Sequence, residues 1–364
     1  MRETTLLLVT AAVLLGVLPV AAQDEPAAFG ERLDVTEVLL DVLVTDQRGN
    51  VILGLDEDDF VIEDGGEPVE IRSSTFYSNR RYLDDANLAG RLGVQASEVP
   101  VDRFFILFFH DQRRLSTDLT RNQILAVRRV KDWVYNELLP NDWVAVLSYD
   151  AKLQVHQDFT TDNEAIVRAL DDVAKGRDPG ATWASRIAEH EGPSLAVNLP
   201  RGKELARATR RIYSALQQVA DAAGYITGRK NLMLFSIGFG RLNDFGTYLP
   251  DERYYGDTMQ ALNDNNVATY AISWIESAAD EGPAAAELSN VLSLLASDTG
   301  GRYYFNFIDF REPLRQVAED NNGYYLLSYA ARHPAGAAGY NNVKVTTKNP
   351  DFVVRARQGY RYGS

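Results

Sequence analysis

Apolar residues recur in two rhythms along this chain, and the places where the rhythm changes divide it. From Asp34 they come in strand-length runs: Val38-Leu39-Leu40, Val42-Leu43-Val44, Val51-Ile52-Leu53, Phe60-Val61-Ile62 and Val69-Glu70-Ile71. Turn-forming stretches separate them, Asp46 to Asn50 and Glu63 to Gly66, which is the pattern of a small β unit. Asp56, Asp58, Asp59, Glu63 and Asp64 crowd this region and could suggest calcium, but their spacing does not fit an EF-hand loop, and turns recruit Asp for their own hydrogen bonds. The stretch from Asp102 to Asp111, DRFFILFFHD, is apolar almost throughout, and predicts a strand buried on both faces. Such a strand delivers Asp111 to its carboxyl end, where open α/β sheets place their ligand site.

Beyond it the pattern alternates. Helical spacing over Asp118 to about Leu138 puts Ile124, Val127, Val130, Val134 and Leu138 on one stripe, with Asp118 as the cap. Strands are predicted at 143–149 and at 153–159, the latter with the cleaner alternation of an antiparallel edge. Thr161 or Asp162 caps a helix carrying Ile166, Val167 and Leu170, and an irregular loop runs from Gly176 to Gly202. One long helix with Leu205, Ala208, Ile212, Leu216 and Val219 follows, then strands at 231–237 and 267–274, a helix at 288–295 and a strand at 301–305. This alternation predicts a mostly parallel, doubly wound, six-stranded sheet with helices on both faces. The last residues return to strand character at 324–329, 342–346 and 352–357, and Tyr303, Tyr304, Tyr324, Tyr325 and Tyr329 read as strand positions.

Three strands at each end are marginal alone, so they are predicted to pair as one small β-sandwich that flanks the α/β domain or receives it as an insertion. The resulting division is a signal peptide at 1–22, a linker at 23–33, the first half of the β unit at 34–78 and a second linker at 79–100. The α/β domain then occupies 101–322 and the second half of the β unit 323–361. The signal rests on Arg2, the uncharged stretch from Thr4 to Ala22 and the small residues after Pro19. It predicts export to the periplasm or beyond, with membrane contact only if the signal stays uncleaved.

Composition narrows the chemistry. The chain has 364 residues, a formal charge of −14 and no cysteine. Disulfides, thiolate nucleophiles and Cys-ligated metals are excluded, and nucleic acid is disfavoured as a partner because it requires clustered Lys and Arg. The four histidines, His110, His156, His190 and His333, are scattered, and no nucleophile elbow, phosphate loop or dinucleotide fingerprint is present.

Short motifs then carry a resemblance. They are Asp41 to Asp46 with Gly49, Gly54-Leu55, Asp59 to Gly65, Gly228 to Leu232, Phe235 to Phe239, Thr299 to Tyr303, Gly323 to Leu327 and Val354 to Tyr360. In that order the chain resembles the acidobacterial family of VWFA-related domain proteins, and 101–322 resembles a von Willebrand factor type A domain. The resemblance implies an exported binding protein and assigns no enzymatic activity. It also implies a place for a divalent cation such as Mg²⁺: an Asp-x-Ser-x-Ser after the first strand, a Thr from a later loop and an Asp after the fourth strand. Asp111 matches the first acid and Thr182 the threonine, but Arg113, Leu115 and Ile237 stand where the other ligands belong. Those side chains offer no oxygen to a hard cation, and Arg113 beside Asp111 brings its own positive charge.

The expectation is therefore a binding protein with no metal and no cofactor, Asp111 and Thr182 being vestigial. The loop after the fourth strand supplies candidate partner contacts in Phe239, Phe245, Tyr248, Tyr254 and Tyr255, because rigid aromatics on adaptable loops suit protein recognition. The alternatives are a metal-dependent ligand binder with a rearranged site drawing on Asp118 or Asp244 and, ranked last, an envelope hydrolase.

Overall fold

A computed structural model describes residues 33–78, 102–179, 192–244, 246–273, 290–305, 307, 309–334 and 336–363. The signal at 1–22, almost all of the linker at 23–33, the linker at 79–100, Thr182 and Phe245 lie outside the described residues. No helix among the described residues is long and apolar enough to cross a membrane.

The first strands are β1 (Leu33–Thr45), β2 (Phe60–Asp64), β3 (Glu67–Val69) and β4 (Ile71–Ser78). The run Val51 to Leu53 makes only an isolated bridge, Thr45 to Val51, because the Asp46 carboxylate winds the chain tightly by accepting from the Arg48 and Asn50 amides. The alternating region begins with β5 (Arg103–His110), α1 (Thr117–Asn136), β6 (Asp142–Tyr149), β7 (Leu153–Thr160) and α2 (Asn163–Lys175). It continues through α3 (Gly202–Ala208), α4 (Ile212–Ala223), β8 (Lys230–Phe235), a small hairpin of β9 (Arg241–Leu242) and β10 (Tyr248–Leu249), and α5 (Glu252–Asp264). It ends with β11 (Val267–Ile272), α6 (Val291–Asp298), β12 (Arg302–Tyr304) and α7 (Arg311–Asp320). The final strands are β13 (Gly323–Pro334), β14 (Gly339–Thr347), β15 (Val353–Arg355) and β16 (Gly359–Tyr362).

The central sheet has the order β12-β11-β8-β5-β6-β7, parallel except for β7 at one edge. Phe104, Ile106 and Phe108 of β5 face one apolar layer with α4, α5 and α6. Phe105, Leu107 and Phe109 face another with α1, α2 and α7. Burial on both faces is why this strand shows no alternation in sequence.

The terminal strands interleave. β1 and β13 pair from Leu33–Pro334 to Val42–Tyr325 within the sheet β15-β1-β13-β4, while β14 pairs β2 within the sheet β16-β14-β2-β3. Both four-stranded sheets contribute to one apolar cluster, with Leu40, Val42, Ile62, Leu327 and Val343 among its members. This unit docks at the amino edge of the central sheet. Arg355 grips Asp320 at the end of α7 through two bonds of 2.7 and 2.8 Å, and Asn266, just before β11, donates to Asp41. The carboxyl edge, with Asp111, is left at the opposite end.

Several local expectations are corrected. Ser116, not Asp118, caps α1, its hydroxyl accepting from the Leu119 amide at 3.1 Å. Ile124 is 50% exposed, and the buried stripe runs through Gln123, Ala126, Val127, Val130, Trp133 and Val134. The single helix expected from Leu205 to Val219 is two, because buried Thr209 donates back to Leu205 O and accepts from the Leu153 amide at the start of β7. Helices α5 and α7 and strand β16 occupy stretches read as loop or left unassigned.

At the amino end of β5, Arg103 donates to both oxygens of Asp142 at 2.6 and 2.5 Å, with side chains 3% and 0% exposed. Arg103→Ala would leave Asp142 as an unpaired buried charge and is expected to cost about 3–5 kcal/mol of stability. Urea unfolding measures it, and a loss below about 1 kcal/mol would show that the pair does not anchor the sheet.

Candidate functional site

The connections that leave the carboxyl ends of β5, β6 and β8 meet over one corner of the central sheet. β5 ends in His110, and the Asp111 amide still bonds Tyr149 O at 2.8 Å, which fixes Asp111 at the sheet edge. A single 3₁₀ turn, Arg113–Leu115, then folds Arg113 back onto its neighbour. Asp111 Oδ1 accepts from the Arg113 amide at 3.2 Å and from Nε at 2.8 Å, while Nη2 donates to Oδ2. Nη1 reaches the carbonyl of Ala174 at 3.0 Å, so the guanidinium also satisfies the carboxyl-terminal end of α2. Gly176 makes the approach possible. It ends α2 at φ +63°, and a Cβ there would lie 2.1 Å from Arg113 Nη2. The pair is mostly buried, 20% and 15% exposed, and its hydrogen bonding to Asp111 holds the guanidinium above its ordinary range.

On the β8 side, Gln112 is the connector. Its Oε1 accepts from the Ile237 amide at 2.9 Å, and its Nε2 donates to Gly238 O at 3.0 Å. Ser236 Oγ bonds His110 Nδ1 at 2.9 Å and accepts from the Gly238 amide at 3.0 Å. Ile237, which follows β8, is thus held to the β5 connection through its backbone amide by Gln112. Burial pushes the His110 imidazole down to about 4, against the upward pull of Asp111.

Toward β6 and β7, Asp111, Arg113, Arg114, Ser148, Asp150 and Arg177 line part of a cavity of about 340 Å³. Arg114 pairs with Asp150 at 3.2 Å. Ser148 Oγ is hydrogen-bonded to His156 Nε2 at 2.7 Å and to Gln154 at 3.3 Å, all on the same strand hairpin. Ser148 and His156 are only 6% and 1% exposed, which places the pair in the cavity floor.

Among the described residues the donor set does not fit a hard divalent cation; Thr182 lies outside them. Both oxygens of Asp111 are engaged by a guanidinium, and Arg113, Leu115 and Ile237 offer nothing in place of hydroxyl or carboxylate oxygens. Asp118 and Asp244 are exposed on the first turn of α1 and on the β9–β10 hairpin.

The aromatic candidates take different places from those expected. Phe239 is 5% exposed and packs edge-on against Tyr213, with ring centroids 5.1 Å apart, so it sits in the core rather than on the loop surface. Tyr254 and Tyr255 lie on α5, started by Asp251, which accepts from the Arg253 amide. Asp251-Glu252 after Pro250 was the signal for that start. Tyr255 donates to Asp298 at 2.6 Å, and its phenol is pushed up by burial and by that bond. Tyr254 is half-buried between Arg211 and Arg253, whose guanidinium carbons lie 4.9 and 5.3 Å from its ring centre. Tyr248 lies across Gly238 and is partly buried. Large apolar exposure at this end falls instead on Leu115 at 61% and Leu242 at 56%. Sequence reasoning missed Gln112 and Leu242 at this end and read Leu115 only as a side chain without a ligating oxygen; the signal for its exposure was its place among Arg113, Arg114 and Ser116.

Fold and site together define a doubly wound α/β domain with an antiparallel edge strand and a charge-paired carboxyl end, the sheet expected of a von Willebrand factor A-like domain. Solved structures to which the chain is similar include a von Willebrand factor type A protein from Catenulispora acidiphila, at 10% identity and TM-score 0.38 over 92% of this chain and 75% of that one. Others are an aerotolerance-related membrane protein from Bacteroides fragilis (9%, TM-score 0.35, 60% and 98%) and proximal thread matrix protein 1 from the mussel byssus (14%, TM-score 0.36, 60% and 46%). The chain thus spans less than half of the mussel protein's length. No protein-family model and no curated protein matches the sequence.

The buried His110 gives a pH signature. Below 6.5 the unfolded chain binds a proton that the folded protein refuses until about 4, so stability falls as pH drops through that window. The loss is expected to be about 3 kcal/mol. Denaturation midpoints against pH for the unaltered protein and His110→Phe should diverge between these limits; parallel curves would remove His110 as the cause.

Proposed function

We propose that this is an exported, non-enzymatic binding protein that meets a protein partner through the carboxyl-end loops of its α/β domain, without a metal ion. The observation that carries the reading is the closed Asp111–Arg113 pair, in which a fixed guanidinium takes up the lone pairs a cation would need. Around it, Leu115 and Leu242 project from the β5–α1 and β8–α5 connections, and the Arg114 side chain is 86% exposed. Apolar anchors beside an exposed charge suit a protein contact. We take the Ser148–His156 pair as a cross-strand structural bond, since both side chains sit below the surface and Ser148 is shared with Gln154.

Export is read from residues 1–22, and the acidic, cysteine-free composition fits it. We take the two terminal sheets as a small β-sandwich that serves as a pedestal, because they dock at the amino edge and, among the described residues, leave the opposite loops uncovered.

Two measurements test this. A cation bound at a hundred times its Kd would stabilise the protein by about 3 kcal/mol, or several degrees in Tm. With Mg²⁺, Mn²⁺ or Ca²⁺ added after chelation, the expected shift is below about 1 °C; a rise of several degrees that Asp111→Ala abolishes would install the cation-dependent reading instead. Leu115→Asp combined with Leu242→Asp is expected to lose, at unchanged Tm, the partner that the unaltered protein captures from an envelope fraction. Retention of that partner would move the contact elsewhere.

A further inference from the structure

Along the β12 edge of the central sheet, where the terminal strands pack beside it, a cavity of about 850 Å³ opens as a crease. One wall is the edge strand β12 with Tyr303 and, just beyond it, Phe305, whose rings stack at 5.1 Å and 21°. The other wall is β14 and β15, with Val343, Val345 and Val354.

Two strand edges border this space. β12 bonds only β11 among the described residues. β14 pairs β2 over Val343–Thr347, but on its other side it pairs β16 only over Gly339–Asn342. From Lys344 onward that side of β14 carries no strand among the described residues. Edges of this kind offer rows of main-chain donors and acceptors to an incoming strand.

The charge of the crease runs against that of the chain. Arg302, Lys344, Arg355 and Arg357 line it with the single carboxylate of Glu63, in a protein of net charge −14. Glu63 lies 3.9 Å from Lys344, and Asp320 holds Arg355. Arg302 donates to the Gln316 amide oxygen at 3.1 Å, and Arg357 to the carbonyls of Asn263 and Leu39 at 2.8 and 2.9 Å. Neither of these two guanidiniums is neutralised by a carboxylate at ion-pair distance among the described residues.

We propose that this crease binds a short, extended, acidic peptide of a partner protein, which adds as a strand to an open edge and sets its carboxylates against Arg302 and Arg357. An apolar side chain of the peptide rests on the Tyr303–Phe305 pair. A small anion would meet the same cations but leave both strand edges unused, so the edges select a peptide. This site is independent of the carboxyl-end loops.

Fluorescence anisotropy with the full-length chain tests it. The probes are a labelled ten-residue peptide alternating Glu and Val, a Lys–Val counterpart, and the Glu–Val peptide with alternate amides N-methylated. The Glu–Val peptide is expected to bind about tenfold or more tighter than either control, and to weaken about tenfold in Arg302→Gln and in Lys344→Glu. Leu115→Asp should bind it as the unaltered protein does. Equal binding of the Glu and Lys peptides, or undiminished binding by both variants at unchanged Tm, overturns the proposal. So does undiminished binding of the N-methylated peptide, or a concentration-dependent dimer that Lys344→Glu dissolves.

Discussion

Strand β5 hides every side chain from Arg103 to Phe109, and much of the architecture follows from having to cover it twice. Four phenylalanines, an isoleucine and a leucine alternate between two apolar layers, each worth about 2 kcal/mol on burial. Covering both faces takes helices on both sides, and strands joined by crossover helices run parallel. A parallel sheet sends every strand-to-helix connection to one end and every helix-to-strand connection to the other. The two ends of this molecule differ for that reason. One end collects the β5, β6 and β8 connections around Asp111; the other offers helix ends and short turns on which the terminal strands dock.

At the first end the electrostatics are closed locally. Arg113 lies two residues from the acid it neutralises, so their proximity costs little chain entropy, and the Ala174 carbonyl gives the guanidinium a third acceptor. A guanidinium keeps its proton across physiological pH, whereas a bound cation exchanges. His110, neutral beneath it, and Gln112, bonded across to Ile237 and Gly238, make the floor under those loops stiff.

At the second end the charges are left open. Asp320 takes Arg355 and Glu63 approaches Lys344, yet Arg302 and Arg357 settle for neutral oxygens. Burial works against the Arg357 guanidinium, with Asp41 and Asp264 pulling the other way. In a chain this acidic, the cations gathered in one crease run against the overall charge, and they lie beside the half-paired edges of β12 and β14.

The two rhythms in the sequence were enough to locate the six strands of the central sheet, to mark β7 as its antiparallel edge and to pair the terminal strands, because alternation and apolar runs record burial directly on the backbone's own period. Asp111 at the end of β5, and the charge of Arg113 beside it, were equally local and equally legible. Features that depend on what lies across the fold were not. Thr209 breaks a helix to meet Leu153, Ile124 turns outward while Gln123 turns in, and Phe239 drops onto Tyr213 instead of facing solvent. Gln112 looked like any polar loop residue until the β8 turn was placed 125 positions away. The sequence by itself determined the strands of the central sheet, several of the helices that cover it and where the acid sits, since each of these depends on near neighbours. Only the tertiary structure decided which aromatics are core, which leucines are exposed and where cations gather, because each of those depends on contacts between segments far apart in the chain.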